Sequence, residues 1–273
     1  MIEKLVTFDW SGTLSPDAVR FGEDDNLKRE LKRSGLASLG VAGPEAFWRE
    51  IVNPTWEEGS TTPTGYGEII SRRIEEVFSP AVSDDQIRLS AARFVDSYLT
   101  HSPIDGRWRS ILGKLGNDPS VITVIATDHY AEATGYVVRH LGEMGAHARP
   151  LKNVSCQAVS FIVANSADVG ARKADRAFWE ALRDSLQLDA LRSVLIVDDF
   201  GFNEGVGDSY ADRRKVEDRK GATLSLLEGV FGVPVSLVSF MWERGGNSEK
   251  DEKVLGDLIA RASGEIEGYL SER

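Results

Sequence analysis

One cysteine in 273 residues, Cys156, leaves no internal disulfide and agrees with a reducing compartment. No histidine stands near it in a familiar pattern, so it reads as a small buried side chain and not as a nucleophile. No apolar stretch approaches the ~20 residues that a membrane helix needs. Residues 1–8 carry a strand pattern that Asp9 breaks, where a signal peptide would continue. Basic charge is also scarce: 32 Lys and Arg face 43 Asp and Glu, a net charge of −11 with a pI near 5.0. That balance argues against a nucleic-acid or anionic-membrane surface. The nearest basic run, Arg213-Arg214-Lys215, is diluted at once by Glu217 and Asp218. The expectation is a cytoplasmic protein, monomer or homodimer, whose partner is a small molecule.

What is present is a periodic pattern with one change of texture. Leu5–Phe8 reads as a buried strand, and after residue 104 short β-rich runs alternate with helical ones. Strands are expected at Val121–Ala126, near Ala158–Ala164, at Ser193–Val197 and at Val233–Phe240. Helices are expected at 108–116, 133–144, 174–186, about 208–231 and at the carboxyl terminus. Such alternation predicts a parallel sheet with helices on both faces. Residues 15–104 instead show only helical periodicity, with a capping-box sequence at Ser83–Gln86 and a Pro/Gly/Thr/Ser-rich stretch, Asn53–Gly65, that reads as loop. The expected architecture is therefore α/β: a Rossmann-like core of residues 1–14 and 105–273, interrupted by an all-helical cap domain at 15–104.

Four polar segments stand at or just past the ends of the apolar runs: Asp9-Trp10-Ser11-Gly12-Thr13-Leu14, Thr127 with Asp128, Lys173 in Gly170–Asp175, and Asp198-Asp199 with Asn203. Open parallel sheets collect ligands outside the carboxyl ends of their strands. A carboxylate nucleophile splits phosphate hydrolysis into two easier displacements, and it needs charge relief against the phosphate. Mg²⁺ suits that task, since it prefers oxygen ligands and keeps its waters. These residues make Asp9 the candidate nucleophile and a metal ligand, with Asp199 the second ligand and Asp198 or Asn203 adjacent. Thr127 and Lys173 are candidates to hold phosphate oxygens. Trp10, Ser11, Gly12 and Asp128 are expected around the substrate. Asp198 and Asn203 read equally well as helix or turn caps, and Trp10 equally well as packing; His129, near the mouth, receives no role.

The order Asp, Thr, Lys, Asp-Asp resembles the haloacid dehalogenase superfamily, in which a helical cap occupies the position of 15–104. The resemblance implies a Mg²⁺-dependent hydrolase that works through an aspartyl-phosphate, with the backbone carbonyl of Ser11 as a further metal ligand. Most phosphatases of that family carry a second Asp where Ser11 stands, as the acid and base for the leaving group. Its replacement implies a preference for good leaving groups, since acid–base help is worth ~10²–10⁴-fold. Asp9–Thr13 also resembles a string in phosphonoacetaldehyde hydrolase, which cleaves a C–P bond with a cap lysine. The corresponding lysines here, Lys28 and Lys32, sit in a charged run that reads as a solvated face. An aromatic would be expected in place of Ser11 for carbon–halogen chemistry. A catalytically weak relative that binds a phosphorylated ligand or a protein is the alternative from another class.

Overall fold

The computed structural model describes residues 2–153, 160–188, 190–204, 213–245 and 248–272. Cys156, the first residues of the strand expected near Ala158 and the first of the helix expected near 208 lie outside them.

Six strands, β1 (Lys4–Phe8), β2 (Val121–Thr127), β3 (Ala148–Pro150), β4 (Phe161–Asn165), β5 (Ser193–Asp198) and β6 (Val235–Ser239), form one sheet in the order β3-β4-β2-β1-β5-β6. Every pairing is parallel. Both faces are covered, which is why the strands are almost uniformly apolar. Alternate residues enter different cores: Leu5, Ile122 and Val124 pack on one face with α10 (Arg176–Leu186) and α11 (Arg213–Phe231). Val6, Phe8 and Ile125 pack on the other with α7 (Arg109–Asn117), α8 (Ala133–Glu143) and α12 (Ser248–Ser271). The α/β class expected from the alternation is what the chain adopts. Strand β3 was not expected; three residues containing Arg149 and Pro150, none of them buried, carry no strand periodicity. Pro is tolerated there because β3 is an edge strand.

Between β1 and β2 the chain is helical, without a strand: α1 (Pro16–Phe21), α2 (Asp24–Ser34), α3 (Pro44–Ala46), a π-helical turn (Phe47–Val52), α4 (Asn53–Thr61), α5 (Tyr66–Phe78) and α6 (Asp84–Thr100). Two local expectations fail here. Asn53–Gly65 is not a loop, because α4 extends to Thr61 and only 62–65 stay irregular. Pro54 stands in the first turn, where its missing N–H does no harm. The carbonyl it leaves free four residues back, Glu50 O, accepts from Arg73 Nε at 2.9 Å. Thr55 and Thr61 hydroxyls bond back to the carbonyls of Ile51 and Glu57, so polar residues that suggest a loop satisfy themselves inside a helix. The capping box is also not formed: Ser83 sits at the N-cap of α6, but its side chain caps nothing. That end is exposed, and water serves its free N–H groups.

Helices α7 (Arg109–Asn117), α8, α9 (Ser166–Val169), α10, α11 and α12 alternate with the remaining strands. The sequential neighbours of β1 and β5 leave in opposite directions across the sheet, so the crevice of an open α/β fold lies between their carboxyl ends.

Candidate functional site

Strand register assembles the charged part of the site. Phe8 pairs with Ile125 on one side and with Val197 on the other, so the next residues, Asp9 and Asp198, emerge side by side. Thr127 ends β2 one step further on, opposite Asn165 of β4. The turn after β1 is closed by Leu14 N–H to Asp9 O (3.3 Å) and Ser15 N–H to Trp10 O (2.8 Å). Gly12 has φ +75°, and a Cβ there would meet Asp199 Oδ2 at 2.9 Å. Glycine is needed on both counts.

Lys173 arrives from the turn before α10 and is pinned at three places. Its N–H donates to Asp128 Oδ1 (2.8 Å), its carbonyl accepts from Trp179 Nε1 (2.7 Å), and its Nζ lies 2.9 Å from Asp9 Oδ1 and 2.8 Å from Asp198 Oδ2. Asp198 is thus the residue that holds Lys173; its other oxygen accepts the N–H of Phe200 at 2.6 Å. Phe200 and Gly201 both have left-handed backbone, φ +54° and +78°, and swing the chain back across the crevice. That turn delivers Asn203 and Glu204.

Asn203 is held by three hydrogen bonds. Its Nδ2 donates to Gly12 O and Phe240 O, both at 2.8 Å, and its Oδ1 accepts from Trp242 N–H at 2.7 Å. With both N–H donors and one Oδ1 lone pair engaged, the carboxamide clamps the Asp9 turn to the segment after β6. Asp199 Oδ2 accepts the Asn203 N–H (2.8 Å), and no cation pairs with Asp199 among the described residues.

Ligand oxygens of Asp9, Asp198 and Asp199 lie within 4.8 Å of one another, and all three residues are buried. Burial pushes the Asp9 carboxyl up to about 7, with Lys173 opposing and Asp198 adding to the rise. Asp199 is raised well above the carboxylate range, first by burial, then by Asp9, Asp198 and Glu204. Burial also raises Asp128. Packed carboxylates with more charge than Lys173 balances are a donor set that fits a hard divalent cation.

Above this floor opens a cleft with a cavity volume of about 110 Å³. Of the expected substrate contacts, Ser11, Thr127, Asp128 and Lys173 line it together with Asp9. Trp10 and Gly12 do not. Trp10 is fully buried between the rings of Tyr98 (6.5 Å) and His129 (5.0 Å), packing α6 against the loop after β2. Gly12 faces Asp199 behind the cleft.

Two contributors escaped the sequence reading. Glu204 accepts a hydrogen bond from Ser11 Oγ at 3.0 Å, so the position lacking a carboxylate has one beside it. Only the double left-handed turn at 200–201 brings it there, and Phe200 gives no sign of that conformation. His129 lines the cleft, buried, with Nε2 2.9 Å from Tyr98 Oη and Nδ1 accepting Tyr130 N–H at 2.9 Å.

No protein-family model matches this sequence, and no curated protein sequence matches it. Similar solved structures include a 2-haloacid dehalogenase from Pseudomonas syringae pv. Tomato DC3000, 20% identical, covering 78% of this chain and 85% of that one, with a TM-score of 0.47. Another is the HAD-hydrolase YfnB from Bacillus subtilis, solved bound to magnesium: 12% identical, 78% and 86% coverage, TM-score 0.44.

Proposed function

We propose that the chain is a Mg²⁺-dependent hydrolase that cleaves a small phosphorylated molecule through an aspartyl-phosphate on Asp9. One observation carries the reading: Asp9 lies at the floor of the cleft with Lys173 Nζ 2.9 Å from its Oδ1 and Thr127 beside it. An Asp9 oxygen attacks phosphorus as the bond to the leaving oxygen breaks. Water then attacks the aspartyl-phosphate at phosphorus, releasing phosphate and restoring the carboxylate. Thr127 and Lys173 hold phosphoryl oxygens and spread their charge. Asp9 and Asp199, with the backbone carbonyl of Ser11, would hold Mg²⁺, which when bound offsets the repulsion between phosphate and carboxylates.

Residues 15–104 act as the cap in this reading. They close the cleft from above and hinge where Asp105 N–H donates to Leu14 O at 2.9 Å. Ser11 brings no carboxyl of its own to the leaving oxygen, which favours acyl or aryl phosphates over simple alkyl esters. C–P cleavage through a cap lysine lacks its lysine, since Lys28 and Lys32 are exposed and no lysine from 15–104 lines the cleft. The intact Lys173 bridge between Asp9 and Asp198 favours an enzyme over a binding relative.

The test is hydrolysis, with and without Mg²⁺, of a panel of phosphate esters, acyl phosphates, a phosphonate and a 2-haloacid. Phosphate release that needs Mg²⁺ and vanishes in Asp9→Asn is expected. Halide release without Mg²⁺, or Asp9→Asn with wild-type turnover, would overturn the proposal.

A further inference from the structure

The cleft has two unlike walls. Its charged lining residues, Asp9, Asp128, Lys173 and Glu204, all belong to the loops at the carboxyl edge of the sheet. The lining from α1 through α6 contains no charged side chain and is dominated by rings and branched aliphatics, among them Phe21, Phe47, Trp48, Val52, Trp56 and Tyr66. Cations on those helices are engaged elsewhere: Arg20 pairs with Asp17 and Glu252, Arg49 with Glu45 and Glu50, and Arg72 with Glu58. The Tyr98 hydroxyl on this side bonds His129.

The aromatic wall is built before any ligand arrives. Tyr66 and Tyr130 stack at 3.8 Å with 6° between their planes, and Trp56 meets Tyr130 edge-on at 5.5 Å. Gly59 of α4 lets the ring lie against the helix, since a Cβ there would stand 2.1 Å from Tyr130 Cε1. A preformed apolar surface favours apolar ligands and offers no compensation to the hydroxyls or charges a polar ligand would lose from water.

Building on the phosphatase reading, we infer that the substrate carries its phosphate on an uncharged, apolar body, aromatic or branched aliphatic, which packs on the α3–α5 wall while the phosphate meets Asp9 and Lys173. On this inference the wall selects against phosphorylated sugars, amino acids and nucleotides.

Body and leaving group separate cleanly in 2-phenylethyl phosphate, glucose 6-phosphate and O-phosphoserine, which all release a primary alkoxide. With Mg²⁺, kcat/KM for 2-phenylethyl phosphate should exceed that for the other two by about 100-fold, the order expected for burying one ring. Trp56→Ala and, separately, Trp48→Ala should each narrow that ratio by about ten-fold; both residues are only half-buried. Glucose 6-phosphate or phosphoserine cleaved as well as the phenylethyl ester would overturn the inference, as would an unchanged ratio in both variants. If no monoester is cleaved, the phosphatase reading falls, and tryptophan fluorescence then decides the substrate class by itself. Quenching by 2-phenylethyl phosphate but not by glucose 6-phosphate sustains it; equal quenching by both, or none, overturns it.

Discussion

The floor and the opposite wall of the cleft are made in different ways. Floor groups come from the loops at the carboxyl edge of the sheet, each fixed by hydrogen bonds: Asp9 by its turn, Asp198 by Phe200 N–H, Lys173 by Asp128 and Trp179. Wall groups come from helices held by long-range packing, and their position depends on rings from distant segments, such as Tyr130 against Trp56 and Tyr66. In the proposed function, chemistry is a property of the sheet edge and selectivity a property of helix packing. The two should therefore respond separately to mutation.

The sharpest way to break that separation is Lys173→Met. The floor would lose the cation bridging Asp9 and Asp198 and keep the buried carboxylates. Turnover should fall by about 10³-fold or more, and stability by roughly 3–5 kcal/mol, the usual cost of stranding buried partners. Adding Asp9→Asn should return part of the stability and none of the activity, read as a denaturant midpoint alongside phosphate release. Lys173→Met that stays as stable as wild type would show that the floor is not held by this bridge.

The same contrast explains what the sequence disclosed. Strands ending at Phe8, Thr127 and Asp198 are written as β-branched and apolar runs stopped by a polar residue, so the floor could be read from neighbours in the chain. Glu204 could not, because its position depends on a left-handed backbone at Phe200, a residue type that gives no hint of it. The clamp made by Asn203 was hidden for a related reason: its partners at Gly12, Phe240 and Trp242 come from distant segments. The wall was least legible. The Thr55 and Thr61 hydroxyls of α4 bond back along the helix, and the free carbonyl left by Pro54 is served by Arg73, nineteen positions beyond Pro54 in α5.

A milder disturbance of the floor is Ser11→Asp. It would place a carboxyl at the leaving-group position, against Glu204 Oε1, which now accepts from Ser11 Oγ at 3.0 Å. Paired with Glu204→Gln to remove the like charge, it should raise turnover of alkyl phosphates about ten-fold and change aryl phosphates much less. The selectivity ratio between 2-phenylethyl and glucose phosphates should not move, because the wall is untouched. A moved ratio would mean that floor and wall are not separable.

The smallest effect lies at the seam between them, His129 with Tyr98. Burial pushes the imidazole from its ordinary 6.5 down to about 3. Its Nδ1 accepts Tyr130 N–H, which assigns the hydrogen to Nε2 and makes the ring the donor to Tyr98 Oη. The unfolded chain takes up a proton as pH falls through 6.5 while the native ring stays neutral, so this group's contribution to stability is present above that pH and is lost progressively below it. The slope is at most about 1.4 kcal/mol per pH unit. Buried Asp9, Asp128 and Asp199, whose carboxyls are raised, act in the opposite direction, so the wild-type curve alone does not isolate the histidine. The difference between wild type and His129→Gln does: any advantage of the wild type should shrink steadily as pH is lowered from about 7 to about 5, read as urea midpoints. Parallel curves for the two proteins would mean that His129 takes up its proton in the native seam as readily as in the unfolded chain, so that wall and floor meet through a charge at low pH.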